Sequence, residues 1–126
     1  MSIFGIGIDL LEKNRIYKFS SVKQEKFSKK ILSKNELREF NQTKNKKLFL
    51  SKYFTIKESI SKAFGVGIQK DFFFKNFEIY HNCLGKPKIT ITGKPLKLFN
   101  KLKLKSIYIS LTDEKKHVIA MTIIEK

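Results

Sequence analysis

The chain has 126 residues, 41% of them hydrophobic and 30% charged, a composition that suits one soluble domain over residues 1–126 and excludes a disordered chain. No apolar run approaches the ~20 residues that span a bilayer, the opening Ser-Ile-Phe-Gly-Ile-Gly-Ile has no basic n-region or cleavage site, so no signal peptide is expected, and the lone Cys83 excludes an internal disulfide and fits a reducing cytoplasm. The net charge of +16 rests on 25 lysines and only 2 arginines, Arg15 and Arg38. An acidic partner would explain it, and so would a lysine-biased composition on solvated faces.

Ser2 to Asp9 alternates Ile and Phe with glycine and reads as a strand whose glycines allow another element to come close. Asp9 closes that strand, either as a helix N-cap or as a ligand. Glu12 to Phe19 forms a short helix with Arg15 and Lys18, and with Lys23 beyond it, making a basic surface. Val22 to Leu32 is a second helix. Ser33 and Glu36 fit a capping box, which opens a helix from Lys34 to Gln42. After a polar loop, Leu48 to Phe64 is the longest helix, apolar over much of its circumference and therefore central. Gly65 or Gly67 ends it. Phe77 to His81 and Lys88 to Thr92 alternate as strands around a Leu84-Gly85-Lys86 turn. Pro95 to Leu104 is helical, and Ile107 to Leu111 and Val118 to Ile124 are the last strands, joined through Thr112 to Lys116. The architecture is α+β, an antiparallel sheet packed against a long central helix with shorter helices.

Most familiar chemistries are missing. His81, His117 and Cys83 lack zinc-ligand spacing, no serine sits in a G-x-S-x-G elbow, and there is no P-loop. What stands out is Lys57-Glu58-Ser59-Ile60-Ser61-Lys62 running into Gly65 and Gly67. Glu58 and Lys62 share one helix face. Two readings fit: a surface ion pair before a glycine cap, or a carboxylate, an ammonium and a bare loop serving a metal-bound phosphate.

Three segments, taken together, resemble a known family. They are Gly5-Ile6-Gly7-Ile8-Asp9-Leu10 with Glu12 and Arg15; then Phe54-x-x-Lys57-Glu58-Ser59-x-x-Lys62-Ala63-Phe64-Gly65-x-Gly67; then Gly85-Lys86-Pro87 followed by Ser110-Leu111-Thr112-Asp113-Glu114. In this order they resemble holo-acyl-carrier-protein synthase, the short type of 4′-phosphopantetheinyl transferase, over essentially the whole chain. The resemblance implies a 4′-phosphopantetheinyl transferase-like fold and transfer of the phosphopantetheine arm of coenzyme A to a serine of apo-acyl-carrier protein, in support of fatty acid biosynthesis. It implies magnesium held by Asp9 and Glu58, catalysis by these two with Lys62, and donor contacts from Lys62, Gly65, Gly67, Lys86 and Pro87. It also implies a homotrimer with interfacial sites, an acidic acyl-carrier protein met by Arg15 and Lys18, and no membrane or nucleic acid partner. Oxygen ligands and a count of one or two carboxylates agree with magnesium chemistry. Glu36 and Asp113 are candidate proton acceptors, with capping and turn formation as their alternative roles.

The chain departs from the family pattern in three places. Lys52-Tyr53 stands where many members have arginine before the Phe54 position, Ser59 replaces an alanine, and Val66 replaces a threonine. A different class of function competes: a small basic nucleic-acid-binding domain, drawing on the charge and on twelve phenylalanines if these are exposed for stacking.

Overall fold

A computed structural model of the chain describes residues 1–65 and 74–126. The elements run β1 (Ile3–Glu12), α1 (Asn14–Tyr17), α2 (Ser21–Ile31), α3 (Lys34–Gln42), α4 (Lys46–Phe64), a 3-10 turn (Phe74–Asn76), β2 (Phe77–His81), β3 (Pro87–Ile91), α5 (Gly93–Lys101), β4 (Ser106–Asp113) and β5 (His117–Glu125). The expected α+β arrangement is present, with the strands divided between two sheets. One is three-stranded and antiparallel in the order β1-β5-β4; the other is the β2-β3 hairpin. Helix α4 lies on β1 and β5.

Most boundaries shift by one to three residues from those read from the sequence, β4 extending to include Asp113, and two shifts bear on the site. β1 continues past Asp9 to Glu12, because Asp9, Leu10, Leu11 and Glu12 keep pairing with Ala120, Ile119, Val118 and His117 of β5. Asp9 is therefore a mid-strand residue and caps no helix. The following helix is a single turn, Asn14–Tyr17, which leaves Lys18 as its C-cap and puts Lys23 on the next helix. The capping box is as expected: Ser33 Oγ accepts from Glu36 N and the Glu36 carboxylate accepts from Ser33 N. Gly65 ends α4 in the left-handed region, at φ 78°.

The glycines of β1 set the distance to α4. A Cβ built on Gly5 would sit 1.9 Å from the Ala63 carbonyl oxygen, and one on Gly7 would sit 1.9 Å from that of Ser59. The helix backbone rests directly on the strand, as the small residues predict. Ser59 belongs to this seam. Its hydroxyl donates to the Ile56 carbonyl at 2.7 Å and lies 2.7 Å from the Thr122 hydroxyl, opposite Gly7 in the strand register. The serine that replaces the family's alanine is thus satisfied inside the interface.

The other side of α4 is held by a buried ion pair. Lys57 Nζ donates to Glu36 Oε1 at 2.6 Å and to the Ile31 carbonyl at 2.7 Å, while Glu36 Oε2 accepts from Ile79 N at 2.7 Å. Burial pushes the Lys57 pKa down and the Glu36 charge opposes that. The pair joins α2, α3, α4 and β2 at one point. It also removes Glu36 as a proton acceptor for any substrate, since its carboxylate is fully enclosed.

The described phenylalanines are structural. Phe19, Phe27, Phe54 and Phe74 form a chain of edge-on contacts 5.2–5.8 Å apart. No phenylalanine among the described residues is exposed, so those rings lend nothing to base stacking. Among the described residues no helix is long and apolar enough to cross a membrane.

Because the Gly7 contact is with backbone, a side chain there can be accommodated only by lifting α4. Gly7→Ala should lower the unfolding free energy by about 3 kcal/mol, read from urea denaturation midpoints. Gly65→Ala, whose Cβ meets nothing within 4 Å, should lose only about 1 kcal/mol for its left-handed backbone.

Candidate active site

Alternation along β1 turns Gly5, Gly7, Asp9 and Leu11 toward α4 and leaves Ile6, Ile8 and Leu10 more than half exposed on the opposite face. Asp9 therefore rises beside α4 two residues beyond the Gly7 seat. Lys62 spans the gap. Its ammonium donates to Asp9 Oδ1 at 3.0 Å and to the Ile8 carbonyl at 3.1 Å. The Asp9 side chain is only 16% exposed, whereas that of Lys62 is 53% exposed.

Glu58 lies one turn before Lys62 on the same helix face. Its pKa is held above the ordinary glutamate value, first by burial and then by the negative charge of Asp9; Lys62 and Arg15 pull it back. Two carboxylates and two cations from β1, α1 and α4 thus act on one another. Sequence separation hides this, since Asp9 and Glu58 meet only because the glycine seat brings their elements together. The bonded partner of Lys62 is Asp9 on β1 rather than Glu58, its neighbour one turn away on the helix.

Among the described residues no three metal-ligating side chains converge. A cation here would rely on Asp9, Glu58 and oxygens from outside the protein. Hard oxygen donors and a low protein ligand count suit magnesium.

Arg15 and Lys18 line a groove of about 260 Å³ floored by Ile16, Phe19, Phe27 and Phe54. Lys47, at the start of α4, donates to the carbonyls of Tyr17 and Phe19 and ties this groove to the central helix. Gly65 is the exposed cap just after Lys62, and Gly67 lies outside the described residues. Lys86 and Pro87 sit on the β2-β3 hairpin, and among the described residues no hydrogen bond or ion pair joins the Lys86 ammonium to the Asp9 cluster.

The Tyr53 departure has a structural answer. Tyr53 is buried, stacked on Phe49 at 4.0 Å, with its hydroxyl 3.4 Å from the Glu39 carboxylate, so it offers nothing to a ligand. Lys52, its half-exposed neighbour, instead faces Asp113 at 3.8 Å, and Lys13 holds the same carboxylate at 3.0 Å. Nothing local marks Lys13 in the sequence, because its partner is 100 residues away.

The match to known proteins covers the same elements. A family model described as the 4′-phosphopantetheinyl transferase superfamily matches residues 5–122. The chain belongs to that superfamily. A holo-[acyl-carrier-protein] synthase of Buchnera aphidicola subsp. Schizaphis graminum is 42% identical over 130 residues, covering 100% of each chain. The crystal structure of holo-[acyl-carrier-protein] synthase from Neisseria meningitidis superposes with a TM-score of 0.92 at 33% identity, over 99% of this chain and 100% of that one. The enzyme from Bacillus anthracis, solved in complex with coenzyme A (3′,5′-ADP), superposes at 0.80 with 30% identity, over 98% and 96% of the two chains. The family and the α+β transferase fold implied by the three motifs are borne out.

The raised Glu58 pKa has a measurable sign. The folded state holds the Glu58 proton more tightly than the unfolded chain does. This contribution favours folding in acid and is lost as pH rises through the raised pKa. Glu58→Gln should therefore melt at a higher temperature than the wild type near neutral pH. The gap should close below about pH 4. Thermal melts across a pH series check both ends.

Proposed function

We infer that the chain moves the 4′-phosphopantetheine arm of coenzyme A onto a serine hydroxyl of apo-acyl-carrier protein, releasing adenosine 3′,5′-bisphosphate. The observation that carries this reading is the meeting of Asp9, Glu58 and Lys62 on the β1–α4 seam in a chain that matches holo-acyl-carrier-protein synthases end to end. The whole of residues 1–126 acts as one transferase domain. It works in the cytoplasm and supplies the carrier protein used in fatty acid biosynthesis.

Asp9 and Glu58 would hold magnesium, which when bound draws negative charge from the pyrophosphate and its leaving phosphate. The raised Glu58 pKa fits such a role, because a half-buried carboxylate beside another is short of positive charge. Lys62, half exposed, reaches toward the donor's phosphates and stabilises charge developing there. Gly65, the exposed cap of α4, lets the donor come close, with Gly67 assigned beside it from its motif alone, and Lys86 and Pro87 bound the donor from the hairpin. The nucleophile belongs to the carrier protein, so no activated serine is required here. Arg15 and Lys18 receive carboxylates of the acidic carrier protein, and the apolar floor between them takes its hydrophobic side chains.

The second face of the three-stranded sheet supports the homotrimer. Ile6, Ile8, Leu10, Tyr108, Ile119 and Met121 are each at least 37% exposed there, a patch too apolar to face water alone. Copies of the chain closing this face would bring neighbouring sites together at subunit boundaries.

Incubation with coenzyme A, magnesium and apo-acyl-carrier protein should add one phosphopantetheine mass to the acceptor; no gain beside an active control enzyme overturns the reading. Asp9→Asn should lower magnesium-dependent turnover at least about a hundredfold while the protein stays folded by circular dichroism. Arg15→Glu should raise KM for the carrier protein about tenfold and leave KM for coenzyme A unchanged. Ile8→Asp should convert trimers to monomers in sedimentation velocity, with activity falling in parallel.

A further inference from the structure

Lys62 touches the group that the metal-site reading needs. Its ammonium bonds Asp9 Oδ1 at 3.0 Å and the Ile8 carbonyl at 3.1 Å. These are hard oxygens of the kind a divalent cation would take. Asp9 is largely shielded from water, so whatever cation sits on it is only partly screened. Lys62 itself is half exposed on a long flexible stem, so it can swing away without disturbing the packing. Glu58, the other carboxylate, has no such bonded cation among the described residues; Lys62 and Arg15 act on it through space.

We propose that Lys62 is a displaceable counter-ion for Asp9, so that the divalent cation and the phosphates of the donor load cooperatively. This rests on the reading of Asp9 and Glu58 as the metal site. An ammonium bonded to Asp9 competes with a divalent cation for the same carboxylate. Phosphates placed beside Lys62 offer the ammonium a second partner and draw it off Asp9. Metal binding frees Lys62 for phosphate, and phosphate binding frees Asp9 for metal. By linkage the two effects are equal in size. The switch is gentle, because an ion pair with one half-exposed partner is weak. It biases the order of loading without blocking either ligand.

The alternative is that Lys62 merely adds positive potential. Arg15 provides the comparison. It also acts on Glu58 through space, yet it makes no hydrogen bond or ion pair among the described residues. Both single substitutions remove one positive charge, and only the one at Lys62 removes a bonded competitor.

The test uses the full chain and manganese as the probe ion, titrated by electron paramagnetic resonance with and without coenzyme A. In the wild type, coenzyme A should tighten manganese binding. Lys62→Met should tighten manganese binding in the absence of coenzyme A by about fivefold and reduce the enhancement that coenzyme A produces. Arg15→Met should give a smaller gain and keep the enhancement. In the wild type, the Lys62 side-chain nitrogen signal, followed by NMR, should move when magnesium saturates the site. A gain for Lys62→Met no larger than that for Arg15→Met overturns the proposal, as does a Lys62 signal unmoved by saturating magnesium. If Asp9→Asn binds manganese as tightly as the wild type, the metal-site reading fails, and the proposal with it.

Discussion

The grouping of Asp9, Glu58 and Lys62 depends on how closely α4 lies on β1. Gly5 and Gly7 have no side chains, and the carbonyls of Ala63 and Ser59 fill the space where Cβ atoms would be. Backbone against backbone is the shortest approach a helix and strand can make. At a wider side-chain spacing Lys62 would have to stretch farther to Asp9 and the Ile8 carbonyl, and Glu58 would feel less of the charge of Asp9. The glycines therefore shape this cluster without adding a side chain to it.

The two sides of α4 use charge in opposite ways. Lys57, one residue before Glu58, is fully buried and spends its ammonium on Glu36 and Ile31. Every polar atom of that pair is matched, which is the condition under which a buried ion pair is tolerated. Glu58 and Lys62, toward β1, are partly open to solvent and incompletely matched, with a glutamate held above its ordinary pKa. A satisfied network fixes the helix in place, and the cluster next to it stays partly open to solvent. Local cost at a working site, carried by a rigid surround, is a common arrangement.

The surface is divided in the same spirit. One end carries a groove with basic walls and an aromatic floor, beside Arg15. The sheet face away from α4 is apolar, because every second residue of β1 and β5 points there. The strong positive charge of the chain is spread more widely than either region, over exposed lysines of helices, turns and loops alike.

The composition, the capping box at Ser33, the periodicity of the long helix and the order of the three motifs were legible in the amino-acid sequence, because each is a local pattern or a spacing. They were enough for the α+β class and the family. Other features arise from residues far apart in the chain. β1 outruns Asp9 because β5, more than a hundred residues later, keeps pairing with it. Glu36 looked like a cap and is also the buried partner of Lys57. Tyr53 stood out as a departure from the family's arginine and turns inward onto Phe49 and Glu39. Lys62 looked like the i,i+4 partner of Glu58 and is bonded to Asp9 on another element. Local propensity acts through neighbours in the chain, whereas the partner of a charge depends on which backbones the packing brings within reach.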